Sequence, residues 1–271
     1  MRLPDAKLVF LDVETTGLSP AMGDRVVEIG MVIHRGGGRD QRVAQLIDPQ
    51  RPIPAEAQRI HGIRAEDVAG CPTFGSIAEP LCGVLRDAWV VGHNIRFDVG
   101  FLAMELALAG YSVDPAGCLD TCQLARTVWD LPNYRLDTVA NALGLQRNGL
   151  HRALGDAVAS GVIFNRIVKE LGGWSGVALP DLQALHAHVP VWPMAPHRSL
   201  PGPLYDALTS GRPISIRYVN GEGRASSRMI RPYACFPVGP HVYVRADCTE
   251  AGQLRTFRLD RIMQVSEPGS V

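Results

Sequence analysis

The run Leu8-Val9-Phe10-Leu11-Asp12-Val13-Glu14-Thr15-Thr16-Gly17 decides how this chain is read. Its first four residues are continuously apolar, the pattern of a strand buried on both faces. Side chains two apart on a strand share a face, so Asp12 and Glu14 project together from the strand's end. Adjacent carboxylates repel unless a cation lies between them. Taken alone, the pair also fits a strand end and turn carrying incidental acids.

Working outward, Arg25–Ile33 reads as a second strand, Gly36-Gly37-Gly38 as a tight turn and 41–47 as a third strand, which together make an antiparallel meander. A short helix ends at Gly62, and 74–85 carries apolar residues at helical spacing. Residues 89–92 form a fourth, buried strand, followed by helices at 98–109, 119–129, 136–143 and 155–171. A meander giving way to alternating strands and helices predicts an α/β fold, a mixed sheet covered by helices. From Gly172 to Pro203 six prolines crowd the chain around a helical island at 181–188, the composition of a linker. Beyond it, after a short helix from Leu204, strand-like runs at 214–219, 227–234, 242–246, 254–259 and 262–265 predict a small barrel or strongly bent sheet. The expected organisation is a domain over 1–171, a Pro-rich linker over 172–203 and a second domain over 204–271.

With 27 Lys+Arg against 27 Asp+Glu, net charge does not advertise a polyanion partner, and 46% apolar content suits a globular protein. The balance is uneven along the chain: up to Glu170 there are 17 cations and 20 anions, beyond it ten and seven, and all ten late cations are Arg. The six cysteines form no CxxC pair or zinc set, the usage of buried thiols in a reducing compartment. No charged-then-apolar leader opens the sequence and no apolar run approaches the roughly 18 residues of a membrane span. The expectation is a cytoplasmic protein.

Two further acid-bearing stretches extend the opening one. His93-Asn94-Ile95-Arg96-Phe97-Asp98 follows the fourth strand and puts Asp98 where strand passes into helix. His151-Arg152-Ala153-Leu154-Gly155-Asp156 opens the last long helix, with Asp156 in its first turn and His151 on the loop before it. Singly, Asp98 and Asp156 read equally as helix caps and His151 as a loop histidine. Together, four carboxylates at element ends and one histidine describe a two-metal site. Hard oxygen ligands select Mg²⁺ or Mn²⁺, and two such ions about 4 Å apart stabilise the attacking and leaving oxygens of a phosphodiester. A histidine of ordinary pKa suits deprotonation of water.

These three stretches, in this order, resemble the DEDDh-type (DnaQ-like) 3′–5′ exonucleases over residues 7–170. The resemblance implies an RNase H-like fold with Asp12, Glu14 and Asp156 as direct ligands of two divalent metal ions, Asp98 serving the second, and His151 as general base. A sister group carries tyrosine four residues before the last aspartate; that position here is Arg152, which favours the histidine type. It further implies that Thr15, Thr16, Gly17 and Leu18 contact the terminal nucleotide through backbone donors and an apolar wedge, that His61 in Ile60-His61-Gly62-Ile63 is available for stacking, and that Asn94 and Phe97 line the pocket. As alternatives, Phe97 reads as core and the late arginines as a solvated surface.

Residues 204–267 resemble a WYL domain, an Sm/SH3-like barrel, through Arg231-Pro232-Tyr233, Val242-Tyr243-Val244 and the Phe257-Arg258-Leu259-Asp260-Arg261-Ile262 run; Val242 and Val244 stand where Trp and Leu are usual. That implies a ligand-sensing or nucleic-acid-binding module, with Arg231, Tyr243, Arg255, Arg258 and Arg261 as contacts. By strand alternation Arg255 and Arg258 face opposite ways unless a bulge intervenes. The expected activity is metal-dependent 3′–5′ hydrolysis of nucleic acid with a free 3′ end, single-stranded DNA favoured, with a polymerase or repair partner left open. An RNA-trimming enzyme and a WYL-type regulator on a non-catalytic nuclease fold are the alternatives.

Overall fold

The computed structural model describes residues 2–20, 23–36, 39–145, 152–190, 192, 200–210, 212–238 and 241–267. His151, Gly37, Gly38, Pro193 and Pro196 lie outside them. The first sheet has the order β3-β2-β1-β4-β5 and comprises β1 (Lys7–Thr15), β2 (Val26–Arg35), β3 (Gln41–Leu46), β4 (Trp89–Gly92) and β5 (Gly117–Asp120). The meander is antiparallel, with Leu11 opposite Met31, while β4 and β5 run parallel to β1. Its helices are α1 (Ala55–His61), α2 (Ala65–Val68), α3 (Phe74–Leu85), α4 (Arg96–Leu108), α5 (Thr121–Val128), α6 (Leu136–Ala142), α7 (Ala153–Glu170) and α8 (Leu179–Ala184).

The alternation of β1 sorts the core into two layers. Val9, Leu11 and Val13 pack with Phe74, Leu81, Phe101 and Leu102 of α3 and α4. Leu8 and Phe10 pack on the other face with Ile163, Phe164 and Ile167 of α7, and the Phe10 and Phe164 rings meet edge to face at 5.5 Å. β1 is the central strand of the five, and β4 beside it divides its apolar residues in the same way, Val90 to the first layer and Trp89 and Val91 to the second.

Two sequence expectations are corrected. Residues 119 and 120, read as the start of a helix, end the parallel strand β5; four residues, three of them buried, are too few for periodicity to separate strand from helix. The packing of the first unit also continues past Leu171. Val177, Leu179 and Leu182 are buried in the α7 layer, and Ala178 bridges Arg2, so the first half of the stretch expected as a linker, its helical island included, packs on the first unit.

The C-terminal sheet runs β10-β6-β7-β8-β9, all antiparallel: β6 (Ile214–Val219), β7 (Ala225–Val238), β8 (His241–Cys248), β9 (Gln253–Arg258) and β10 (Ile262–Ser266), preceded by α9 (Gly202–Ser210). Closure by β9 onto β10 is not among the described pairings, so this is a bent sheet rather than a demonstrated barrel. Leu204, Ile214, Ile216, Ile230, Val244 and Phe257 form its own core. Tyr243 packs against Met104 of α4, so this sheet abuts the first unit. Among the described residues no helix is long and apolar enough to cross a membrane.

Candidate active site

Asp12 and Glu14 leave β1 on the α7 face, as their spacing requires, and Asp156 comes to them from the first turn of α7. Ligand oxygens of these three carboxylates all lie within 4.8 Å of one another, and Glu14 and Asp156 are buried. A helix N-terminus favours a carboxylate, which partly offsets the crowding. Three acidic oxygens converging this closely fit a hard divalent cation.

Several residues without any motif signature bring Asp156 to this position. Glu28, opposite Glu14 on β2, is 2% exposed. It accepts from Arg152 Nε (3.0 Å) and Nη2 (2.6 Å) and from the Ala153 N–H (3.0 Å), one of the donors that an isolated helix end leaves unpaired. The pairing with Glu28 also holds the Arg152 guanidinium above its ordinary pKa. Gly30, two residues on, leaves room for the α7 backbone; a Cβ there would overlap the Ala153–Leu154 peptide. In the sequence Arg152 signals only the absence of a tyrosine.

Asp98 belongs to the other layer. It sits in the first turn of α4, 3% exposed, with Oδ1 accepting from Val13 N–H at 3.0 Å, and it lies outside the three-carboxylate group. Burial, with Glu14 and Asp120 adding like charge, pushes its carboxyl well above the usual range. A buried acid with that bias gains its charge most readily when a cation approaches.

The loop after β1 is built from its own side chains. Thr16 N–H donates to Arg25 O (2.9 Å) and Arg25 N–H to Thr16 Oγ1 (3.0 Å), while Asp24 accepts from Ser19 N–H (3.1 Å). Thr15 Oγ1 donates to Gly17 O at 2.6 Å, and a Cβ on Gly17 would overlap the Asp24 carboxylate. Arg25 pairs bidentately with the buried Glu105 of α4 at 2.8 Å. The loop leaves Leu18 83% exposed, the posture of an apolar wedge, whereas the Thr16 N–H is already taken. Asn94 is exposed, and Phe97 is half-buried against the Phe101 ring at 4.9 Å. His61 differs from expectation. It is 2% exposed, burial lowers its pKa, and its Nδ1 accepts from Ile63 N–H at 3.0 Å, so it shapes the loop instead of offering a free ring face.

In the second unit the expected contacts do not form one surface. The β8–β9 register is unshifted, so Arg255 and Arg258 stand on opposite faces. Arg258 is tied to Asp260 at 2.7 and 2.9 Å, and Tyr243 is turned to α4. Arg231 is exposed opposite Asp247, and Arg261 lies beside Gly221. Arg255 instead shares a concavity of about 410 Å³ with Arg224, Arg228, Tyr218 and Asn220. Tyr218 meets Phe257 edge to face, and strand alternation alone did not signal that β6, β7 and β9 converge there.

Comparison with known proteins follows the same division. Residues 9–164 match the exonuclease family model (RNase T type), and residues 201–267 match the WYL domain model. The chain is 35% identical over 183 residues to the 3′-5′ exonuclease DinG of Bacillus subtilis, covering 67% of this chain and 20% of that protein. It is 36% identical over 174 residues to the DNA polymerase III subunit epsilon of Rickettsia conorii, covering 61% of this chain and 74% of that one. The structure of exonuclease X in complex with 5′ overhanging duplex DNA superposes with a TM-score of 0.51 at 26% identity, over 66% of this chain and 98% of that one. The chain thus spans about a fifth of the Bacillus protein but most of the epsilon subunit. With more than half of its length inside the family model, and its acidic cluster built from residues within that match, the chain belongs to the exonuclease family and carries a WYL domain behind it.

Proposed function

We propose that this protein is a divalent-metal-dependent 3′–5′ exonuclease releasing nucleoside monophosphates, with single-stranded DNA its favoured substrate. The observation that carries the reading is the convergence of Asp12, Glu14 and Asp156 within 4.8 Å across two elements. Asp12, Glu14 and Asp156 hold metal, with Asp98 serving a second ion; Mg²⁺ or Mn²⁺ suits this all-oxygen set. Bound there, such ions supply charge stabilisation to the phosphodiester. His151 accepts the proton of the attacking water at a ring nitrogen. Leu18, on the loop locked by Thr16, Asp24 and Arg25, separates the terminal nucleotide from its neighbour, and Phe97 and Asn94 flank it.

DNA is favoured because the epsilon relative is named for a DNA polymerase and the superposed exonuclease X is bound to DNA. The epsilon likeness also suggests a polymerase or repair partner. In the WYL domain, Arg224, Arg228 and Arg255 beside Tyr218 offer guanidinium forks and a ring to a phosphate-bearing strand or nucleotide-like signal. The domain would then set grip or regulation, and the chemistry stays with the first 164 residues.

Single-turnover digestion of matched DNA and RNA oligomers, single- and double-stranded and labelled at either end, tests the reading in Mg²⁺, in Mn²⁺ and in chelator. Mononucleotides released from the 3′ end only with metal are expected, fastest on single-stranded DNA. Release from the 5′ end, or equal rates in chelator, would overturn it. Replacing Arg228 and Arg255 together should weaken binding of long strands and reduce its salt dependence by about one unit of slope per lost phosphate contact. Cleavage of a dinucleotide should be unchanged.

A further inference from the structure

Asp98 follows a turn that the first turn of α4 ties at one point, the Phe97 N–H donating to Asn94 O at 3.1 Å. The chain reaches α4 through Asn94, whose φ of 64° lies in the left-handed region. Non-glycine residues hold that conformation only where surrounding contacts fix it. The Asn94 N–H donates to Asp120 Oδ1 at 2.9 Å. The same oxygen accepts from Cys122 N–H at 2.9 Å, capping α5, and Asp120 is 2% exposed. One carboxylate at the end of β5 thus fixes the turn from which Asp98 is aimed and the helix that follows β5.

Asp120 is itself held from outside the residues matched by the exonuclease family model. Its N–H donates to His186 Nε2 at 2.9 Å, and His186 Nδ1 lies 2.9 Å from Leu182 O. A ring nitrogen facing a carbonyl must carry the proton and one facing an N–H must not, so His186 is the neutral Nδ1–H tautomer. It is 7% exposed, just beyond α8, where Leu179 and Leu182 are fully buried with Leu119 and Leu124. The Gln123 side chain clamps the next turn, donating to His188 O at 3.0 Å and accepting from His188 N–H at 3.1 Å. Residues 177–188 are therefore bonded to the strand end that holds the Asn94 turn.

We propose that Asp120 and His186 are positioning residues for Asp98, and that residues 177–188 work as part of the nuclease fold. The proposal deepens, and rests on, the reading of Asp98 as the carboxylate serving the second metal ion. In that reading, the path from His186 through Asp120 and Asn94 sets where the Asp98 carboxylate stands relative to Glu14.

The full-length protein tests it through paired substitutions. Asp120→Ala removes the acceptor, and Asp120→Asn keeps an oxygen for both N–H donors. His186→Phe fills the volume without an acceptor, and His186→Gln offers one. The readouts are kcat and KM on a single-stranded oligomer, Mn²⁺ affinity by calorimetry, and melting temperature. For Asp120→Ala and His186→Phe, kcat should fall about tenfold or more and Mn²⁺ affinity weaken by a similar factor, with KM within about twofold. The Asn and Gln variants should recover most of both. Wild-type kcat and Mn²⁺ affinity in His186→Phe overturn the proposal. So does equal damage in the conservative variants, because the hydrogen bonds would then not be what matters. Should Asp120→Ala fail to fold, the His186 pair and Asp120→Asn decide alone. Asp98→Ala in the same assays separates the two levels: if it is silent, the reading of Asp98 fails; if it is damaging while His186→Phe is silent, only the positioning proposal fails.

Discussion

Replacing Asp12 with asparagine should make the metal-free protein more stable and the metal-loaded protein less so. The ligand oxygens of Asp12, Glu14 and Asp156 lie within 4.8 Å of one another. Two unit charges at that spacing repel by about 3–4 kcal/mol at an effective permittivity of ~20. Asp12 is the least buried of the three, so solvent screens part of this, and a gain of about 1–2 kcal/mol is expected for Asp12→Asn in chelator. For a chain of this size that raises Tm by about 2–8 °C. In Mn²⁺ the order reverses. A site at a hundred times its Kd stabilises the wild type by about 2.7 kcal/mol, which the variant, lacking a ligand, forgoes in large part. Thermal unfolding in chelator and across a Mn²⁺ titration measures both terms. A variant less stable than wild type in chelator, with the same response to Mn²⁺, would refute the cluster as a cation site.

Three other outcomes follow from the same geometry. His151→Ala should lose about 10²–10⁴ in single-turnover rate while keeping its stabilisation by Mn²⁺, and the wild-type rise of rate with pH should flatten in it; an undiminished rate removes the base assignment. Because burial raises the Asp98 pKa, the metal-free folded state holds a proton that the unfolded chain has already released, so stability in chelator should fall as pH rises from the ordinary carboxylate range through the raised value. Urea titrations of wild type and Asp98→Asn across that window check it, the variant showing the flatter slope. Gly30→Ala should cost about 1–3 kcal/mol and weaken Mn²⁺ binding, since its methyl group has no space against the Ala153–Leu154 peptide; unchanged denaturation and metal affinity would show that α7 docks more loosely than described.

Much of this was legible in the chain because short-range geometry is rigid. An apolar run followed by acids two apart can only send Asp12 and Glu14 to one side, and strand alternation already separated Arg255 from Arg258. Composition was a poorer guide. The prolines of 172–203 point to a semi-rigid linker, and they carry no signal that Val177, Leu179, Leu182 and His186 are buried, because a few well-spaced apolar side chains suffice to dock a segment on an open face. The strand at Gly117–Asp120 is not legible in the sequence because its four residues carry no period.

What the sequence determined by itself was that Asp12 and Glu14 leave β1 on one shared face, since covalent spacing along a strand admits no other outcome. Which helix meets which face was decided only in three dimensions. Helix α7 docks on the even face of β1, drawn by Phe164 against Phe10 and fixed by Glu28, Gly30 and Arg152, and so Asp156 completes the carboxylate trio. Helix α4 docks on the odd face, and so Asp98 stands apart, bonded to Val13 and held by Asp120 through Asn94. Those choices rest on packing between residues as far apart as Glu28 and Arg152. No local pattern encodes them, because burial energy is summed over contacts that exist only once the chain has closed on itself.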